Sequence, residues 1–175
     1  MLIEYDELTI RNAEASDAVQ LSEGWNDGEV MAHAGFPLGL GTTPEKIAGE
    51  ISSDSDDKRR RLILMCGSVL IGEMSYTNLG NHTVEIGIKI CRRDMQNRGL
   101  GRKYLSMLIS RLFEIGYEKI VLDTNTNNKR AQHVYESLGF RFVGMRENCF
   151  TDQLGVMRSA VDYELISRDF VSFLE

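Results

Sequence analysis

The sequence is short of the residues that mark disordered, disulfide-rich or metal-binding proteins. It has 2 prolines in 175 residues and no polar low-complexity tract, which argues against a disordered chain. Its 3 cysteines, Cys66, Cys91 and Cys149, are widely spaced and match neither a disulfide framework nor zinc-ligand spacing, so we expect buried thiols. Its 3 histidines are isolated as well, and we therefore expect no metal site.

Long hydrophobic runs and an excess of positive charge are also missing. No apolar run approaches the roughly 20 residues of a membrane span, and the first residues lack the basic and apolar regions of a signal peptide, so we expect a cytoplasmic protein. The formal net charge of -6 argues against general attraction to nucleic acid or to a membrane surface, and it favours a cationic partner. Length and the apolar fraction of 42% predict one soluble domain over residues 1–175.

The hydrophobic patterns predict strands and helices in mixed order. We expect a strand that ends near Arg11, a helix from about Ser16, a glycine-rich loop, and a second helix after Thr43 and Pro44. Three strands should follow within residues 61–90, with turns at 66–68 and 78–81. The run "DSDDKRRR" before them is typical of a solvated turn, and we assign it no function.

The second half of the chain predicts a crossover unit. A helix begins near residues 99–101 and ends at Gly116, a strand covers 119–125, and a further helix ends at Gly139 before two final strands. The strand, helix and strand between residues 83 and 124 should form a right-handed crossover with parallel strands.

The stretch "QNRGLGR", residues 96–102, opens the helix of this unit with two glycines. A helix N-terminus offers unpaired N–H groups and a positive dipole end, and glycine lets a phosphate approach the backbone closely. A tight turn without a ligand is the alternative. The spacing fits no nucleotide motif, because Tyr104 replaces the third glycine of a dinucleotide fingerprint and Arg102 replaces the lysine of a P-loop.

The spacing Q-x-x-G-x-G resembles the pyrophosphate-binding motif of the GNAT superfamily of acetyl-CoA-dependent N-acetyltransferases. A second segment, "NNKRAQHVYESLGF", is similar to the family's N-x-x-A-x-x-x-Y-x-x-x-G-F pattern. The residues that match the two motifs are Gln96, Gly99, Gly101, Asn128, Ala131, Tyr135, Gly139 and Phe140. The resemblance implies a GNAT-type α/β fold, a central mixed twisted sheet of six or seven strands flanked by about four helices.

Three outer segments, "WNDGEVMAHAGFP", "VEIGIKI" and "FTDQLGVMRSAVDYELI", resemble the RimJ/RimL branch, which acetylates the N-terminal α-amino groups of ribosomal proteins. The end of the chain departs from that branch, since Asp169 is followed by Phe170 where a tryptophan is expected. The branch implies an N-terminal α-amine as acceptor. Small cationic amines such as polyamines or aminoglycosides are the alternative, and a coenzyme-binding module without turnover is a rival of another class.

The resemblance also implies the contacts to acetyl-CoA. Backbone groups at the end of the third strand of the 61–90 segment would bind the pantetheine arm, the glycine loop would bind the pyrophosphate, and the second motif would complete the site. The implied residues are Lys89, Ile90, Cys91, Gln96, Asn97, Arg98, Gly99, Leu100, Gly101, Arg102, Asn128, Ala131 and Tyr135. A helix N-cap is the alternative role of Asn128.

Acetyl transfer to an amine needs a base, because amines with pKa values of about 7.7 to 10.4 are mostly protonated at neutral pH. Glu85 is the candidate, since it lies 11 residues before Gln96, similar to the catalytic glutamate of the histone-acetylating branch, and Gly87 on the same face leaves space. An exposed glutamate without a chemical role is the alternative.

Tyr135 is implied to protonate the coenzyme thiolate, with core packing as its alternative role. The resemblance further implies that Trp25, Phe36 and the loop "GFPLGLG" shape the acceptor pocket. The oligomeric state is left open, with a homodimer as one option.

Overall fold

A computed structural model describes residues 1–174 of the protein, and its centre is one sheet. The eight strands are β1 (Leu2–Tyr5), β2 (Leu8–Asn12), β3 (Arg59–Cys66), β4 (Val69–Gly80), β5 (Thr83–Ile90), β6 (Lys119–Asn125), β7 (Arg141–Thr151) and β8 (Met157–Ile166). They are ordered β1-β2-β3-β4-β5-β6-β8-β7. Every neighbouring pair is antiparallel except β5 and β6, so the predicted parallel crossover is confirmed.

Within residues 1–174, five α-helices pack around the sheet: α1 (Ala18–Trp25), α2 (Gly28–Met31), α3 (Pro44–Ser52), α4 (Leu100–Glu114) and α5 (Lys129–Ser137). Short 3₁₀ helices lie at Ala15–Asp17, Ala32–Ala34, Arg93–Met95 and Ser167–Asp169. Thr43 caps α3 by accepting a hydrogen bond from the Lys46 N–H at 3.3 Å, and Pro44 fills the first turn as expected. None of the helices within residues 1–174 is both long and apolar enough to cross a membrane.

The two faces of the sheet carry separate cores. The larger core packs α4 and α5 against one face, and its centre includes the fully buried Leu105, Leu108 and Ile120. The smaller core lies on the other face, where Trp25, Ile47 and Ile63 join α1 and α3 to β3. Residues alternate between the faces along each strand, which accounts for buried Val84 and Ile86 beside exposed Glu85 and Gly87.

The pairing of β5 with β6 is short, and this positions the site. Only three residue pairs join them: Thr83 with Lys119, Val84 with Ile120, and Glu85 with Val121. Both strands continue beyond these pairs, β5 to Ile90 and β6 to Asn125, without pairing to each other. A wedge therefore opens between the carboxyl ends of the two parallel strands, where ligands bind in open α/β sheets.

The predicted fold class is confirmed, with small differences in the number of elements. The first predicted strand is a hairpin of two strands that turns at Asp6, which adopts a left-handed φ of 51°. An extra short helix, α2, forms inside the predicted loop because the Asp27 side chain accepts hydrogen bonds from the N–H groups of Glu29 and Val30.

The turn predicted at 66–68 is present, with Gly67 at φ 56°. The one predicted at 78–81 lies slightly later, because β4 continues to Gly80 and the chain turns at Asn81 and His82. The expectation of buried thiols is wrong for Cys149, which is exposed, while Cys66 and Cys91 are only half-buried. Cys149 lies on β7, the strand at the edge of the sheet in the described part of the chain.

Candidate active site

The wedge between β5 and β6 is part of a cleft of about 1060 Å³. Its one end, which we call the loop end, is formed by residues 96–102 together with the start of α5 and Tyr135. Its other end, the sheet end, lies over the exposed face of the central strands and includes Arg59, Thr77 and Glu85. The cleft therefore connects the two places where the sequence predicts coenzyme and acceptor.

The loop end presents a helix N-terminus without a side-chain cap. Gly99 is the N-cap of α4, with a left-handed φ of 77°, and no side chain bonds to the first turn of the helix. Asn97, two residues earlier, is also left-handed at φ 60°. The first turn contains no acidic residue, and Arg102 lines the cleft beside it. Such a terminus attracts an anion through both its N–H groups and its dipole.

The surroundings of Gly101 indicate whether the loop end has room for a phosphate ligand. Its backbone is helical, and a Cβ placed on it would meet no protein atom closer than Ile90 Cδ1, at 3.9 Å. Neither conformation nor packing requires glycine here, although glycine costs a helix up to about 1 kcal/mol relative to alanine. The missing side chain leaves the backbone open to the cleft, which fits the close approach of a pyrophosphate.

The free edge of β5 faces the same end of the cleft. The Gln96 side chain donates a hydrogen bond to the Ile90 carbonyl at 2.9 Å and thereby ties the loop to the strand. The Cys91 N–H instead donates to the Ile71 carbonyl of β4 at 2.8 Å, so this group is not available to a ligand. Among the predicted coenzyme contacts, Cys91 and Arg98 do not line the cleft, whereas the other predicted contact residues do.

Asn128 has the helix-capping role given as its alternative. Its side-chain oxygen accepts a hydrogen bond from the Ala131 N–H at 3.2 Å, at the start of α5. Both residues also line the cleft. The amide NH₂ of Asn128 has no hydrogen-bond partner among residues 1–174, so the cap leaves its two donors for a ligand.

Tyr135 differs from the other buried tyrosines. The hydroxyls at positions 76, 104 and 163 each donate a hydrogen bond to a protein oxygen at 2.6 to 3.0 Å. No residue of the described chain bonds the hydroxyl of Tyr135, whose side chain lines the cleft although the residue is only 7% exposed. Burial raises the pKa of Tyr135 to about 12, with the charge of Asp123 adding to the shift. The hydroxyl therefore keeps its proton at neutral pH.

Glu85 lies on the exposed face of β5, at the point where the pairing with β6 ends. It lines the cleft, and no residue among those described forms an ion pair or hydrogen bond with its carboxylate. Neighbouring carboxylates on this face are paired, since Arg146 binds both Asp123 and Asp162. Glu85 is thus held in position by a strand, and its carboxylate has no partner among the described residues.

Trp25 and Phe36 do not line the cleft, contrary to the expectation for the acceptor pocket. Trp25 is buried in the smaller core, and its indole N–H donates to Glu73 at 2.7 Å. Glu73 also accepts from Lys89 at 3.1 Å, and Lys89 lines the cleft. Trp25 therefore supports the wall from behind rather than contacting a ligand.

The wall at the sheet end comes from two segments that are far apart in sequence, α2 with the 3₁₀ helix after it and the end of β7. Glu29, Val30 and His33 contribute one side, and Phe150 contributes the other. Gln153 joins the two segments, because its side chain accepts from the Leu38 N–H at 2.9 Å and donates to the Gly39 carbonyl at 2.8 Å. The segment "GFPLGLG" thus holds the wall in place without lining the cleft itself.

Sequence reasoning missed several residues of the sheet end: Arg59, Ser75, Thr77, Asp123, Arg146 and Phe150. Strand alternation places each of them on one of two faces, but only the pairing register brings them together. Cys149 and His133 line the cleft as exposed side chains. Within the described part of the chain, no group of three His, Cys, Asp or Glu side chains is arranged to hold a metal ion.

Comparison with known proteins gives one family. A family model described as an acetyltransferase (GNAT) domain matches residues 7–141. Over 59 residues the sequence is 39% identical to the L-amino acid N-acyltransferase MnaT of Escherichia coli strain K12. That match spans only about a third of the curated relative, 34% of each chain.

Solved structures share the fold over nearly the whole chain. RimL, a ribosomal α-N-protein acetyltransferase solved with coenzyme A, has a TM-score of 0.85 and 16% identity, covering 95% of this chain and 98% of its own. A spermidine N-acetyltransferase from Vibrio cholerae, solved with coenzyme A and spermine, has a TM-score of 0.81 and 20% identity, covering 94% and 98%. Identities this low show a common fold, and the two relatives differ in the amines their names give.

Proposed function

Because the chain belongs to the GNAT acetyltransferase family, we propose that it transfers an acetyl group from acetyl-CoA directly to a primary amine. The observation that carries this proposal is the composition of one cleft. The start of α4, Tyr135 and Glu85 all line it, and the first turn of α4, the Tyr135 hydroxyl and the Glu85 carboxylate have no side-chain partner among residues 1–174.

The loop end would hold the coenzyme. The backbone N–H groups from Gly99 to Arg102 would bind the pyrophosphate, with the Arg102 guanidinium adding charge. The unpaired edge of β5 near Ile90 would bind the amide-rich pantetheine arm as an added strand would. When bound, acetyl-CoA would supply an acetyl thioester, whose carbonyl carbon accepts the amine as the carbon–sulfur bond breaks.

Glu85 and Tyr135 would handle the protons of this transfer. Glu85 would accept a proton from the amine, directly or through a water, so that the nitrogen lone pair is free to attack. Tyr135 would donate a hydrogen bond and then its proton to the departing thiolate. Because burial raises the pKa of this hydroxyl to about 12, its main contribution would be the hydrogen bond that stabilises negative charge on sulfur as the carbon–sulfur bond breaks. Such groups typically contribute about a hundredfold to ten-thousandfold each, so removing one should slow transfer without abolishing it.

The acceptor we propose first is the N-terminal α-amine of a protein. Three sequence segments resemble the RimJ/RimL branch, and the fold of RimL supports this assignment. An α-amine with a pKa of about 7.7 to 8.0 also needs less help from a base than a lysine-like amine at about 10.4. A small cationic amine is the second candidate, supported by the net charge of -6 and by the fold of the spermidine acetyltransferase.

The test is thiol release from acetyl-CoA with N-terminal peptides, polyamines and aminoglycosides as acceptors, using the wild type and Glu85→Gln. We expect α-amine peptides to be the best acceptors and Glu85→Gln to lower kcat by about a hundredfold. Glu118→Gln is the matched control, since Glu118 lies in the loop before β6 and outside the cleft. Binding of acetyl-CoA without thiol release from any amine would favour a coenzyme-binding module instead.

A further inference from the structure

Three consecutive arginines enter β3 at residues 59–61, and one of them differs from the others. Arg60 forms an ion pair with Asp56 at 2.7 Å, and Arg61 forms one with Glu50 at 3.3 Å. Arg59 has an exposed side chain that lines the cleft, and no residue of the described chain provides it with a hydrogen bond or ion pair. The sequence alone gives all three the same appearance.

The register of the sheet places Arg59 in one row with the proposed base. Arg59 pairs with Thr77, and Thr77 pairs with Glu85. Directly paired residues point to the same face of a sheet, and neighbouring strands lie about 4.8 Å apart. The Cα atoms of Arg59 and Glu85 are therefore about 10 Å apart across Thr77. All three side chains line the same cavity.

The other charged side chains at the sheet end already have partners. Lys89 binds Glu73 at 3.1 Å, Glu29 binds Arg93 at 2.6 Å, and Arg146 binds Asp123. Arg59 and Glu85 are the two charged side chains of the sheet end that lack a partner among residues 1–174. One unpaired cation and one unpaired carboxylate about 10 Å apart match an acceptor that carries charges of both signs.

We propose that Arg59 binds a carboxylate of the acceptor while Glu85 receives the amine. This inference rests on the proposed function and narrows its substrate class: the acceptor is an α-amine with a carboxylate a few bonds away. A guanidinium suits this task, because its planar donors bind a carboxylate in two parallel hydrogen bonds. A polyamine would instead bring positive charge towards Arg59, which disfavours it.

A carboxylate near an α-amine has two sources, a free amino acid or a peptide with an acidic side chain close to its N-terminus. The experiment uses matched acceptor pairs for both: an L-amino acid and its amide, and a peptide with Asp in its second position and the same peptide with Asn there. Thiol release gives kcat and KM for each member. For each enzyme variant, the KM of the carboxylate member is divided by the KM of its neutral partner. Comparing this ratio between variants removes the difference in intrinsic reactivity between the two amines.

Arg59→Gln should raise KM for the carboxylate member of one pair by about tenfold and leave its neutral partner unchanged, because one charge-assisted contact is lost at an exposed site. kcat should change little, since the contact is made equally before and during transfer. Arg59→Glu should raise KM for the carboxylate member further and should increase the turnover of spermidine. Lys58→Gln is the control, since it removes the same charge one residue away, outside the cleft.

The pair that responds identifies the source of the carboxylate. If the enzyme turns over both pairs and Arg59→Gln changes neither KM ratio, the role of Arg59 is overturned and the acetyltransferase proposal stands. Binding of acetyl-CoA by the wild type without thiol release from any acceptor would overturn both proposals. A rise in KM for charged and neutral partners alike would show a structural effect and would also contradict the inference.

Discussion

The loop end and the sheet end of the cleft are assembled in different ways. The loop end comes from two continuous segments, residues 96–102 at the start of α4 and the first turns of α5. Its residues are therefore close to one another in sequence within each segment. The sheet end takes residues from the five strands β3, β4, β5, β6 and β7, and α2 also lines it. A site built from continuous segments can be recognised from a short sequence motif, whereas a site built from several strands depends on strand register and loop packing.

Tyr135 lines the loop end and Glu85 lines the sheet end, and the largest effect is expected from Tyr135. Tyr135→Phe should lower kcat by about a hundredfold and leave acetyl-CoA affinity nearly unchanged, because the ring still fills its place in the core. Steady-state thiol release and calorimetric titration measure the two quantities.

Tyr163→Phe provides the matched control for that variant. Tyr163 is also buried, but its hydroxyl donates to Glu136 at 3.0 Å and does not line the cleft. Its loss should cost about 1 kcal/mol of unfolding free energy and leave kcat unchanged. Equal losses of kcat in both variants would mean that Tyr135 acts through packing alone.

A substitution at Gly101 should have a smaller effect, and it distinguishes a coenzyme-binding role of the loop end from a purely structural role. Gly101→Ala should raise the unfolding free energy by about 0.5 to 1 kcal/mol, because the position is helical and has room for a methyl group. The same methyl group should weaken acetyl-CoA binding by about tenfold, since a charge-assisted contact to the backbone lengthens.

Gly49→Ala in α3 is the control for Gly101→Ala. Gly49 is also helical and has no protein atom within 4 Å of an added Cβ, but it lies away from the cleft. Urea unfolding should show a similar gain in stability, and titration should show unchanged coenzyme affinity. If Gly101→Ala also leaves acetyl-CoA affinity unchanged, the coenzyme role of the glycine motif is contradicted, and the motif forms a tight turn without a ligand.

The loop end was more predictable from the sequence than the sheet end. The crossover of β5, α4 and β6 was predictable because apolar alternation, an opening glycine motif and a terminal glycine are all local signals. Gly116 and Gly139 end their helices in the left-handed region, at φ 105° and 94°, as their positions indicate. The two motifs also place Gln96, Asn128 and Tyr135 in one cleft.

The sheet end was much less accessible to prediction. Arg59 and Glu85 are 26 residues apart in sequence, and they share a row only because β4 pairs with both of their strands. Trp25 resembled a pocket residue, yet its ring lies beneath the cleft, where the Arg61 guanidinium stacks 5.0 Å from its centre. Such placements depend on tertiary packing, and a single sequence carries no local signal for them.

Amide hydrogen exchange with and without acetyl-CoA reports on each backbone N–H of the proposed coenzyme site, so it tests whether the loop end binds the pyrophosphate. We expect slower exchange at residues 99–102 and along the free edge of β5 at residues 86–90, with little change in the hairpin between β7 and β8. Binding of acetyl-CoA without protection of residues 99–102 would contradict the assignment of the loop end as its pyrophosphate site.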